Sequence, residues 1–117
     1  MKYTYLTLVK FDTGRGGLST AVQDVDVIDV NSPEEIKDKI QHIESETIKE
    51  EEPNLWLKRS AWNASRWVYY KVYEGTPEEN LREFKKEYEY DFDEILELLL
   101  TKNLINKKHP KFVAHVI

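Results

Sequence analysis

Six ring side chains crowd into one stretch of this chain: Trp56, Trp62, Trp67, Tyr69, Tyr70 and Tyr73. They include all 3 Trp of a sequence that also holds 7 Tyr and 4 Phe. Every charged residue in that stretch is a cation: Lys58, Arg59, Arg66 and Lys71. Rings interleaved with cations can do two kinds of work. Bases stack on flat rings while Lys or Arg meets phosphate, at about 1–3 kcal/mol per stacked base. Trp, Tyr and Arg are also the residues that anchor protein interfaces. The plain structural use is a core whose lysines snorkel to its edge.

Register decides between these uses. The stretch reads as two strands, 55–62 and 66–73, around Asn63-Ala64-Ser65. Setting Trp62 opposite Trp67 gives one aliphatic face and one face of Trp56, Lys58, Trp62, Trp67, Tyr69, Lys71 and Tyr73. That second face is the candidate binding platform. The same register sets Lys58 against Lys71, a repulsive pair. A three-residue loop would remove the clash and mix the two faces.

Other motifs carry less. Asp12-Thr13-Gly14 follows an apolar strand and resembles the catalytic tripeptide of retroviral-type aspartic proteases. The resemblance implies a remote alternative, an enzyme using Asp12 with a second Asp across a dimer. It covers only Val9 to Gly14, and no later apolar-apolar-Gly segment completes the pattern. The glycines at 14, 16 and 17 lack the Lys-Ser/Thr of a phosphate-binding loop. His42 and Glu46 stand four apart, but no second carboxylate–His pair occurs at ligand spacing, so no metal site is expected. Asp24, Asp26 and Asp29 read as the charges of a protected edge strand. With no catalytic constellation, we expect neither an enzyme nor a cofactor.

Charge is uneven. The 117 residues carry 17 Lys and Arg against 22 Asp and Glu, a net charge of −5. Residues 34–52 and 74–98 hold most of the acid; the second block has 10 acids and 3 bases. Residues 53–73 and 99–117 hold bases and no acid. Such acidic blocks are solvated faces or, as an alternative, mimics of nucleic-acid phosphates. There is no Cys, which excludes disulfides and thiolate metal sites. No apolar run approaches the about 18 residues of a membrane span, and the opening residues lead us to expect no signal peptide. A cytoplasmic protein is expected. The composition resembles that of small acidic accessory proteins of low-GC bacteria and their phages, and no motif ties it to a family.

The elements that must position these residues follow from periodicity. Tyr3 to Phe11 alternates as a strand. Leu18 to Val30 is a second, whose alternation slips near Asp24–Val25 and calls for a bulge or a break. Ser32-Pro33-Glu34-Glu35 and Thr76-Pro77-Glu78-Glu79 are helix starts with a capping box. Ile36, Ile40, Ile43 and Thr47 then mark a helix ending near Glu51. Leu81, Phe84, Tyr88, Phe92, Ile95 and Leu99 mark another to about Lys102, with a break available at Asp91. Asn103 is its expected cap, and Lys111 to Ile117 a final strand. The expectation is one α+β domain over residues 1–117. It has ββαββα order, a mainly antiparallel sheet, and two acidic amphipathic helices covering one face in two layers. Its expected work is binding another protein through the aromatic hairpin, as an inhibitor or regulator. Single-stranded nucleic acid is the alternative partner; a membrane is not expected.

Overall fold

The computed structural model describes residues 1–45, 47–53, 55–58 and 66–105. The fold is α+β. Its elements are β1 (Lys2–Asp12), β2 (Leu18–Asp29), α1 (Ile36–Glu44), β3 (Ile48–Glu52), β4 (Leu55–Lys58), β5 (Arg66–Glu74), α2 (Pro77–Glu87) and α3 (Phe92–Thr101). One antiparallel sheet runs in the order β2-β1-β5-β4-β3. The expected C-terminal strand, Lys111 to Ile117, lies outside the described residues.

Strand β1 is central and buried on both sides. Leu6 and Leu8 face one core with Leu81, Phe84, Ile95 and Leu99 of α2 and α3. Tyr3 and Tyr5 face the other with Ile36 and Ile40 of α1. The sheet-and-helix layering therefore holds for α2 and α3, while α1 lies on the opposite face. The bulge or break expected near Asp24 is a bulge, because the β1–β2 pairing steps from Thr7↔Asp24 to Leu8↔Val22 and skips Gln23. It lets Val22 and Val25, three apart, turn into the same core.

The first helix is shorter than its stripe suggested. It stops at Glu44, where Ser45 adopts a left-handed φ of 53°. Ile43 is 43% exposed, and Ile48 reaches the α1 core from β3 instead. Sheet pairing with β4 outweighs the good helix propensity of the Lys and Glu residues in 48–52. The acids Glu50 to Glu52 thus sit exposed on an edge strand, where charge discourages further pairing. The opposite edge, β2, is blunted by side chains: the Lys102 Nζ donates to the Val25 carbonyl at 3.0 Å and pairs with Asp24 at 2.7 Å.

The two helix starts differ. At α2 the capping box is complete: Glu79 N–H donates to Thr76 Oγ1 at 3.4 Å, and Thr76 N–H donates to Glu79 Oε1 at 3.2 Å. Ser32 makes no such bond, and Pro33–Glu35 forms a 3-10 turn before α1. The long second helix breaks at Tyr88 (φ −124°, ψ 50°), followed by a 3-10 turn at Glu89–Asp91. Asp91 does not cap α3; its Oδ2 accepts from Val22 N–H at 3.3 Å instead. Asn103 ends α3 as expected, with φ 56°. Leu104 N–H donates to the Leu99 carbonyl at 2.9 Å and Asn103 N–H to that of Leu100 at 3.2 Å, a paired C-terminal cap.

Candidate functional site

The β4–β5 register redraws the aromatic platform. Its pairs are Leu55↔Lys71, Trp56↔Tyr70, Leu57↔Tyr69 and Lys58↔Val68. By backbone register Trp56 and Lys58 therefore stand opposite Tyr70 and Val68, not in line with Tyr69 and Lys71. Trp67, Tyr69, Lys71 and Tyr73 remain together on the opposite row, beside Leu8 and Lys10 of β1. Trp62 lies outside the described residues. The single seven-residue face is thus corrected. Pairs of equal parity replace the assumed odd–even pairs, and this also removes the Lys58–Lys71 clash.

The surviving row opens into a cavity of about 370 Å³. Its floor is Leu8 and Lys10 of β1, Thr20 of β2, and Tyr69 and Lys71 of β5. Its wall is the elbow between α2 and α3, from Glu87 to Asp91. The elbow exists because Tyr88 leaves helical geometry to turn its ring inward. There its hydroxyl sits 2.7 Å from that of Tyr73. Tyr73 also donates to Glu87 Oε2 at 3.1 Å. Tyr73 packs edge-on against Phe84, with ring centroids 5.0 Å apart.

Electrostatics divide the groove into settled and available groups. Lys71 Nζ pairs with Glu87 Oε2 at 2.9 Å and lies 5.4 Å from the Tyr73 ring centroid. Burial pulls the Lys71 ammonium down, but the Glu87 hydrogen bond and nearby carboxylates outweigh it and raise its pKa. Burial pushes the Tyr73 phenol up, and its bonds to Tyr88 and Glu87 push it further. Burial also raises Tyr88, with Tyr73 and Lys71 working against the shift. Lys10 Nζ stands 4.9 Å over the Tyr69 ring. At the rim, the Tyr90 ring is 99% exposed.

Of this lining, sequence reasoning had singled out Tyr69 and Lys71, with Tyr73 and Trp67 on the same row. It missed Lys10, Thr20 and the whole elbow. A signal for Tyr90 was present: it falls off the apolar stripe of Tyr88 and Phe92, and an off-stripe aromatic on a helical segment faces solvent. Asp12-Thr13-Gly14 opens the β1–β2 turn, where Thr13 N–H donates to the Gly17 carbonyl at 3.1 Å. Two wider hollows of about 580 and 660 Å³ surround the start of α2, where Thr76 and Glu79 already satisfy each other. Among the described residues, no group of three or more His, Asp or Glu is placed to hold a metal ion. No helix among them is long and apolar enough to cross a membrane. No family model, curated protein or solved structure matches the chain.

Proposed function

We propose that this protein acts by binding another protein, as a cytoplasmic accessory factor or inhibitor, and not by catalysis. The docking surface is the groove between the Tyr69 row and the α2–α3 elbow. The observation that carries this reading is Tyr90, a fully exposed ring at the mouth of a cavity floored by Tyr69. An exposed aromatic costs solubility and finds its return at an interface core, where Tyr is enriched. Single-stranded nucleic acid is the second reading, favoured by Trp67, Tyr69 and Lys10 sharing one side of the sheet. Glu87, Glu89 and Asp91 on the same groove work against it, because they repel phosphate.

Photo-crosslinking tests the proposal. Benzoyl-phenylalanine is placed at position 90 and, as a control, at the exposed position 37 of α1. The expected result is a discrete protein adduct from position 90 alone. The captured protein, once purified, should bind the unmodified chain directly and lose about tenfold in affinity to Tyr90→Ala. Equal adducts from both positions, or a purified partner indifferent to Tyr90→Ala, would overturn it.

A further inference from the structure

We infer that the groove receives a basic segment of its protein partner, with an arginine side chain seated on Tyr90 beside Glu89. This rests on the groove being the docking surface. Three cations of the chain already lie over rings on this side of the sheet: Lys10 on Tyr69 at 4.9 Å, Lys71 on Tyr73 at 5.4 Å and Lys85 on Phe92 at 6.0 Å. Among the described residues, Tyr90 is the exposed ring of the groove with no such cation. Its neighbour Glu89 makes no hydrogen bond or ion pair among the described residues, whereas Glu87 is held by Lys71 and Tyr73. A ring next to a carboxylate without a partner suits a guanidinium, which stacks on one and bonds the other.

The wider field has the same sign. The segment 74–98, which forms the elbow and the helices around it, carries 10 acids against 3 bases. Such a surface draws a basic partner toward the groove and repels acidic peptides and phosphate chains. Arginine fits better than lysine, because its planar, weakly hydrated head covers a ring while forking onto a carboxylate.

The experiment is an amide-resolved NMR titration of the full chain with four probes: hexa-arginine, hexa-lysine, hexa-glutamate and an eight-nucleotide oligothymidine. Hexa-arginine should move the amides of Thr20, Tyr69 and residues 88–91, and hexa-lysine should move them less at equal concentration. Glu89→Gln and Tyr90→Ala each alter an exposed side chain and should keep the folded spectrum. Each should weaken hexa-arginine about five-fold. Groove shifts with hexa-glutamate or the oligonucleotide would overturn the inference. So would hexa-arginine shifts scattered over the acidic surface and unaltered in both variants. If position 90 still crosslinks to a protein while hexa-arginine leaves the groove unmoved, the docking surface stands and the basic partner falls. If neither occurs, both fall.

Discussion

Tyr69 and Tyr70 are neighbours in β5, yet one floors a groove and the other is sealed in a core. Tyr70 is 1% exposed and packs edge-on against Tyr5, with centroids 6.2 Å apart. On its side the row runs Val68, Tyr70, Val72, and α1 with Ile48 closes over it. On the Tyr69 side, α2 and α3 cover Tyr73 through Phe84, but the chain turns at Tyr88 before it reaches Tyr69. Each row presents a Tyr to the element above it. What separates core from surface is the reach of the element above, not the residues of the strand.

The sharpest way to break this comparison is to truncate each ring. Tyr70→Ala should cost about 3–5 kcal/mol, the range for emptying a buried aromatic site. Tyr69→Ala should cost only about 1–2 kcal/mol, from partial packing and the lost Lys10 contact. Urea denaturation of the two variants measures both. Equal losses would mean that Tyr69 is as much core as Tyr70.

A second test separates the two rows by pH. Burial raises the Tyr5 phenol, and its 2.7 Å bond to Glu44 Oε1 raises it further. Burial likewise raises Tyr73 and Tyr88 across the sheet. In the unfolded chain these phenols ionise near their ordinary value of about 10. The folded chain holds the protons longer, so the unfolded state binds fewer above that pH. Their stabilising contribution is complete below about pH 10 and is lost as pH rises beyond it. Denaturation midpoints from pH 8 to 11.5 should fall at the alkaline end. Tyr5→Phe and Tyr73→Phe should each flatten the fall. A limb unchanged by Tyr5→Phe would show that the α1 side does not hold its phenol neutral.

The unequal legibility of the fold has physical causes. The β1–β2 hairpin, its bulge and the Thr76 capping box were all readable, because each is local and written in period or spacing. The end of α1 was not. Ile36, Ile40 and Ile43 fit a helix whatever follows, and only pairing with β4 pulls residues 48–52 into the sheet. Half of the site shares that difficulty. The row Trp67, Tyr69, Lys71, Tyr73 follows from alternation within one strand. Placing Trp56 and Lys58 needed the pairing register between strands. Shifting from odd–even to equal-parity pairing turns a whole strand over. The elbow wall depended on where a continuous apolar stripe would break, and Tyr88 continues that stripe as well as it ends it.

Lys71→Met examines the groove side more finely. It removes the 2.9 Å pair with Glu87 while keeping most of the stem that packs beside Tyr73. Both partners are about one-third exposed. The loss should therefore stay within about 1 kcal/mol, as for other partly solvated pairs, and shrink in high salt. A salt-independent loss well above that would mean that the network of Lys71, Glu87, Tyr73 and Tyr88 is part of the core.

The smallest expected effect on stability falls at the position of largest expected effect on binding. Tyr90 is exposed and belongs to neither apolar cluster. Tyr90→Ala should leave the denaturation midpoint within about 0.5 kcal/mol of wild type, as surface changes do. The same variant should lose most of its partner affinity if the ring is an anchor. A stability loss of 2 kcal/mol or more, about the scale of a buried ring, would place Tyr90 in the fold. The groove would then be a seam between elbow and sheet, and the two sides of β5 would differ only in how completely they are filled.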